Sequence, residues 1–361
     1  MPIGLWLGLS ALVVGGALWY AYEAQILAFT APVESSSAQG RDAFTLTALY
    51  KRLTPEGRDE VQRYIDYFRK SRRRGFADAL ARSTRYVETF QGIFREAGLP
   101  AELAYLPLIE SGYVETAESP AKAVGMFQFI EETGRRYDLS RNDWFDMRRD
   151  PISSARAAAR YLGNLYETFN DWDLALAAYN AGAGTIRWAV RVNQRDQRPT
   201  DFWSLELPDE TRNYVPAFIA SMLIAKNPQA FGFEQINFAP ELIFDEIQVS
   251  PGISLSLLAN HMRLEAETLY TLNPELIQGM APPGDQPYSL RIPHGMRKQV
   301  PQLLAGVSAQ GSQWMLHHVR SQDTLQSLAK RYRAHPSAIR TLNGLQNNGD
   351  LASRSFVLIP H

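Results

Sequence analysis

The 361-residue chain contains no cysteine. Disulfide bridges, a thiolate nucleophile and a cysteine-ligated zinc site are therefore excluded. Histidine is scarce, and the six present show no metal-ligand spacing. The adjacent pair His317 and His318 would point to opposite faces of a strand. No metal and no cofactor is expected. Charge of one sign is lacking as well: the formal net charge is −1, so no basic stripe is available for nucleic-acid phosphates. The run Arg72, Arg73 and Arg74 reads as a solvated helix end. Between about Thr54 and Asn227 no strand-like alternation of any length occurs, which points to an all-helical domain.

What is present begins with an uncharged apolar run, Ile3–Tyr22. As a helix it is long enough to cross the roughly 30 Å core of a bilayer. It also exceeds the roughly 7–15-residue apolar core of a secretory signal. Residues 1–22 are accordingly read as an uncleaved membrane anchor, with signal cleavage after Ala38 as the alternative. Residues 23–42 then form a polar linker.

The helical region carries its own punctuation. Thr54 stands as a cap before Pro55 at the first helical position, and Val61, Ile65 and Phe68 recur at helical spacing. In "AGLPAELAYLPLIESG", Gly98 ends one helix and Pro100 opens the next, with Ala101, Ala104, Tyr105 and Leu108 along one stripe. "SARAAARYLGNLYETF" and "DLALAAYNAGAG" predict two further helices, the second ended by Gly182 and Gly184. After Pro228 the character changes to short strands, at "FDEIQVS", "YSLRIP", "WMLHHVRS" and "SFVLIP". A shift of 70 residues aligns Val249, Leu255, Leu258, Ala259, Arg263, Thr271, Leu272 and Asn273 with Val319, Leu325, Leu328, Ala329, Arg333, Thr341, Leu342 and Asn343. Each copy closes on Ile-Pro. A βααβ unit is thus present twice.

Chemistry is suggested first by Glu110, placed in the last turn of its helix with Gly112 as terminator. The carbonyl end of the helix dipole and apolar neighbours both disfavour a carboxylate anion. A raised pKa suits a general acid. The plainer alternative is a surface glutamate at a frayed helix end. Three other stretches bear on the choice. "AVGMFQFI" holds Gly125, Met126 and Gln128. "LAAYNAGAG" brings Tyr179 and Asn180 to a glycine-rich helix end, and "LPDETRNYVP" collects Glu210, Arg212, Asn213 and Tyr214. Each alone reads as packing or capping. Together they supply the amide, phenol and carboxylate groups that hold sugar hydroxyls and N-acetyl groups.

"LAYLPLIESGY", "SPAKAVGMFQFIEETGRRY", "LAAYNAGAGTIRWAV" and "TDFWSLELPDETRNYVP" resemble, in order, the motifs of the soluble-lytic-transglycosylase type catalytic domain. The resemblance covers about residues 55–230 and is nearest to the membrane-bound lytic murein transglycosylase D family. "HHVRSQDTLQSLAKRYRAHPSAIRTLNGLQ" with the closing "LIP" resembles a LysM peptidoglycan-binding module, and the first repeat copy resembles a degenerate LysM. The resemblance implies an α+β multidomain protein. A goose-lysozyme-like all-α catalytic domain (43–235) would precede two small βααβ modules, at 243–295 and 315–361. It implies cleavage of the MurNAc–GlcNAc bond of peptidoglycan to a 1,6-anhydro product, with Glu110 acting as acid and then base. By carry-over, Ser111, Gly125, Met126, Gln128, Tyr179, Asn180, Glu210 and Tyr214 line the sugar groove, with Tyr179 and Glu210 closest to the reacting sugars.

This chain departs from the family in lacking a lipoprotein cysteine, which excludes lipid anchoring, and in carrying Phe127 where tryptophan is common. The expected setting is the periplasmic side of the inner membrane, as a monomer on glycan strands. Two competing readings are a hydrolytic muramidase pairing Glu110 with Glu131, Glu132 or Glu210, and a catalytically silent wall-binding scaffold.

Overall fold

The first helix starts where capping chemistry allows it. The Thr54 hydroxyl accepts a hydrogen bond from the Gly57 amide at 3.0 Å, and Pro55 opens α1 (Pro55–Asp66), which continues into a π turn, Tyr67–Ser71. Val61, Ile65 and Phe68 are buried, as their spacing predicts. In this computed structural model residues 53–283, 286–299, 314–343, 345, 350–354 and 356–360 are described. The expected anchor and linker at 1–42 lie outside the described residues. Among the described residues no helix is long and apolar enough to cross a membrane.

Helices α2 (Arg73–Ser83) and α3 (Val87–Glu96) follow. The helix expected after Pro100 is two pieces, a 3₁₀ turn at Ala101–Tyr105 and a single α turn, α4 (Pro107–Glu110). The reason is Pro107, which has no amide hydrogen for the Leu103 carbonyl. That carbonyl accepts from Leu106 instead, at 3.1 Å. Then come α5 (Glu131–Arg136), α6 (Pro151–Phe169), α7 (Trp172–Ala181), α8 (Ala183–Arg195) and α9 (Asp209–Lys226). Gly182 ends α7 with φ at +83°. Gly184 is no terminator, because it lies inside the first turn of α8. The buried α9 packs against α1 and α7.

The chain divides into two compact units. Among the described residues, one takes in 53–138 together with Pro151–Glu241; the other joins Leu139–Asp150 to those from Leu242 onward. The second unit contains β1 (Phe244–Val249), α10 (Leu255–Met262), α11 (Ala266–Leu272) and β2 (Tyr288–Pro293). It then repeats the order as β3 (Trp314–His318), α12 (Leu325–Tyr332), α13 (Pro336–Leu342) and β4 (Phe356–Pro360). Strands β1 and β2 pair antiparallel, as do β3 and β4.

The residues that align at 70-residue spacing do equivalent work. Arg263 and Arg333 both turn left-handed after the first helix of their copy, at φ 56° and 54°. The Asn273 side chain donates to the carbonyls of Leu269 and Arg291, both at 2.9 Å, and accepts from the Arg291 amide at 2.8 Å. Asn343 donates to Ile339 and Leu358 and accepts from the Leu358 amide, each at 2.7 Å. A buried asparagine thus ties the second helix to the closing strand in each copy.

Leu139–Asp150 falls within the range expected for the helical domain, yet it belongs to the second unit. Its own bonds explain this. The Asp146 amide donates to the Glu275 carbonyl at 2.9 Å, and the Gln278 side chain donates to the Asp143 carbonyl at 2.9 Å. The buried Asp150 carboxylate pairs with Arg291. Trp144 stacks on Phe356, with centroids 5.1 Å apart, and packs where Met280, Leu342 and Leu358 meet.

A buried polar group stripped of its partner costs about 1–3 kcal/mol. Asn343→Ala should therefore destabilise the second copy by about that much, and hydrogen exchange at the β4 amides should accelerate. Exchange unchanged from the parent chain would show that the asparagine clamp contributes no stability.

Candidate active site

Glu110 ends α4, and the chain reverses immediately behind it. Gly112 and Tyr113 both adopt positive φ, at 62° and 60°. A side chain at Gly112 would be strained by the positive φ and would press on the Arg82 guanidinium at 3.1 Å. Arg82 holds the turn by donating from Nε to the Gly112 carbonyl at 2.8 Å. Fully buried Tyr113 donates its hydroxyl to the Ala104 carbonyl. Ser111, itself buried, donates to the Met126 carbonyl at 2.9 Å. The backbone that carries Glu110 is thereby fixed on three sides.

The carboxyl meets α9. Tyr214 donates its hydroxyl to Glu110 Oε1. Burial pushes the Glu110 carboxyl up from 4.5 to about 7; the Tyr214 hydrogen bond opposes the rise and the Glu210 charge adds to it. Of the two causes expected from sequence, the apolar surroundings rather than the helix dipole account for the rise. α4 is only four residues long, too short to build an appreciable dipole, so loss of water dominates. Since the one Tyr214 proton is given to Oε1, the acid proton of neutral Glu110 sits on Oε2.

Tyr179 stands on α7 beside this pair. Its hydroxyl donates to the Phe127 carbonyl at 2.7 Å. Burial raises its pKa well above 10.0, with the Glu110 and Tyr161 charges adding to the rise. Tyr161, on α6, packs at 5.2 Å from Tyr179. Within the helix predicted at "SARAAARYLGNLYETF" nothing in the sequence distinguishes Tyr161.

The "GMFQ" stretch is the tip of a tight turn closed by reciprocal hydrogen bonds between Val124 and Phe129, at 3.0 and 3.2 Å. Gly125 and Gln128 take φ of 84° and 49°. The Gln128 amide nitrogen is occupied by the Gly125 carbonyl at 2.7 Å and the Ala117 carbonyl at 3.3 Å. Met126 departs from the expected groove lining. Its side chain is fully buried, because the positive φ before it turns the chain inward, and its carbonyl acts through Ser111. Asn180 accepts from the Thr211 hydroxyl at 2.9 Å. Glu210 is exposed in the first turn of α9, one turn before Tyr214. It reaches Glu110 through its field, whereas Tyr214 makes the direct contact. Glu131 and Glu132 lie exposed at the start of α5, and Glu132 pairs with Arg136.

Three segments match known families. Residues 91–201 match the Transglycosylase SLT domain, 243–309 the LysM-like domain of lytic transglycosylase MltD, and 317–360 the LysM domain. The membrane-bound lytic murein transglycosylase D of Escherichia coli is 30% identical over 283 residues, covering 75% of this chain and 62% of its own length. This chain therefore spans somewhat less than two thirds of that relative. A solved structure of an inactive mutant of the lytic transglycosylase Slt from Pseudomonas aeruginosa is 25% identical, covers 42% of this chain and 25% of its own, and superposes with a TM-score of 0.33.

Tyr214→Phe removes the hydroxyl that favours the Glu110 anion. The titration midpoint of Glu110 should then rise above its value of about 7, as followed by carbon-13 NMR of the labelled carboxyl. A midpoint that stays or falls would show that the tyrosine does not stabilise the anion.

Proposed function

We propose that this chain, in which a match to the Transglycosylase SLT domain is followed by matches to LysM domains, is a lytic transglycosylase that cleaves the β-1,4 bond between MurNAc and GlcNAc in peptidoglycan, leaving a 1,6-anhydro end. The observation that carries this reading is a glutamic acid with a pKa raised to about 7, hydrogen-bonded to a buried tyrosine. Near neutral pH such a carboxyl is populated in both forms, the condition for giving a proton and then taking one.

In this mechanism Glu110 gives its Oε2 proton to the glycosidic oxygen as GlcNAc leaves. The Glu110 anion, held by the Tyr214 hydroxyl, then takes the proton from the MurNAc C6 hydroxyl while that oxygen closes on C1. The nucleophile is internal to the sugar, so a second carboxylate for activating water is unnecessary. Glycoside hydrolysis ordinarily uses two. Glu210 tunes the acid by its charge, and Tyr179, Asn180 and Gln128 hold the sugar. Ser111, Gly125 and Met126 shape the groove through the backbone.

The LysM modules retain the enzyme on peptidoglycan, the terminal copy being the glycan-binding one. Export to the periplasmic face follows from the substrate, with residues 1–22 as anchor and the protein acting as a monomer.

Glu110→Gln keeps the shape and removes the proton. Cleavage of purified sacculi should fall by about 10²–10⁴-fold, while the variant still sediments with them. Mass spectrometry of the parent digest should show anhydro ends; reducing ends would establish a hydrolase instead, and near-parental turnover of a folded Gln variant would remove Glu110 from the role. Fractionation with amino-terminal sequencing should find the protein in membranes with its first residues intact. A soluble form beginning at Gln39 would replace the anchor with a cleaved signal.

A further inference from the structure

A pocket of about 520 Å³ opens on the helical unit between the end of α5 and the outer face of α6. That lies within the roughly 300–1,000 Å³ usual for small-ligand sites. Its polar lining carries both signs: the guanidiniums of Arg136, which is in an exposed ion pair with Glu132, and Arg160, and the carboxylate of Glu167, with Asn164 and Tyr137 beside them. The groups are set in place by the fold. Arg160 donates to Asp138 at 2.8 Å and to the Tyr137 carbonyl, and its guanidinium lies 6.0 Å from the centre of the Tyr137 ring. Asn164 donates to the Tyr137 hydroxyl at 3.1 Å.

Tyr137 also connects the pocket to the candidate active site. Its ring lies 5.2 Å from Tyr161, and Tyr161 lies 5.2 Å from Tyr179, the phenol beside Glu110. All three rings are half-buried. A row of aromatic faces is suited to sugar rings, which present apolar faces and no charge. The pocket at its far end is different. Two guanidiniums and a carboxylate have no counterpart in a neutral glycan. The peptide stem attached to the glycan does carry matching groups: free carboxylates, which guanidinium forks bind in pairs, and an ammonium, which suits Glu167.

We propose that this pocket is a second substrate site, which takes the zwitterionic peptide stem of a saccharide bound some way along the strand from the cleaved bond. The proposal rests on the peptidoglycan reading above. Glycan strands bearing stems would then be held at two places, through sugar along the phenol row and through peptide at its end.

The free stem tripeptide of L-alanine, γ-D-glutamate and diaminopimelate contains no glycosidic bond, so its binding can be measured apart from catalysis. Calorimetry with the full chain should detect it, and Arg136→Gln/Arg160→Gln should weaken it at least tenfold. Gly163→Leu supplies a variant that keeps the fold. Gly163 lines the pocket inside α6, and a Cβ there meets only Leu99, at 3.9 Å. This substitution fills the pocket and should weaken the peptide by a similar factor. Absence of binding, binding indifferent to both changes, or equal affinity for glutarate alone would overturn the proposal. Digestion of sacculi in parallel separates the two readings. Peptide binding without any cleavage removes the transglycosylase assignment and leaves the pocket, whereas cleavage without peptide binding removes the pocket alone.

Discussion

The hydrogen bond from Tyr214 to Glu110 is the interaction around which the helical unit is arranged. A carboxyl taken out of water pays a desolvation penalty on ionising, and one well-placed donor offsets part of it. Too little burial leaves an ordinary acid that is ionised before it can act. Too much, without the phenol, leaves one that never ionises. The balance depends on holding Glu110 still relative to α9, and the left-handed turn at Gly112 and Tyr113 does this. Arg82, Ser111 and the Tyr113 hydroxyl each secure that turn from a different segment.

Backbone and side chain divide the work around this pair. At the "GMFQ" turn much of the polar capacity is already committed: the Gly125 carbonyl accepts from Gln128 within the turn, and those of Met126 and Phe127 accept from Ser111 and Tyr179. The turn therefore positions Gln128, Ser111 and Tyr179 in common. A shift of this turn would move all three together. Glu210 stands apart, exposed and touching Glu110 only through space.

Much of this was legible in the sequence because the signals were local. The Thr54 cap, the stop at Gly182 and the paired asparagines of the βααβ copies each declare themselves within a few residues or one repeat. Glu110 was legible for its odd position after an apolar run. Met126 stands in an apolar run that itself points to burial, and only the family resemblance placed it in the groove. Other features were not legible, because they depend on residues distant in the chain. Tyr214 and Tyr179 look alike in sequence, and only the packing of α9 on α7 makes Tyr214 the direct partner. The apolar stripe after Pro100 predicts one helix, but Pro107 deprives the Leu103 carbonyl of its α-helical donor, and a 3₁₀ turn and an α turn stand in its place.

The segment Leu139–Asp150 has a consequence for how the chain comes to be folded as it is made. Asp150 and its partner Arg291 are 141 residues apart. At about 5–20 residues per second of synthesis, Asp150 waits roughly 7–28 s for Arg291 to exist. During that interval the Asp150–Arg291 ion pair and the stacking of Trp144 on Phe356 cannot form, although helices on either side of the segment can already form from local contacts. Pairings this distant are slow to close and expose sticky surface meanwhile. The segment Leu139–Asp150 thus emerges early, but the unit it belongs to is completed only in the last third of translation.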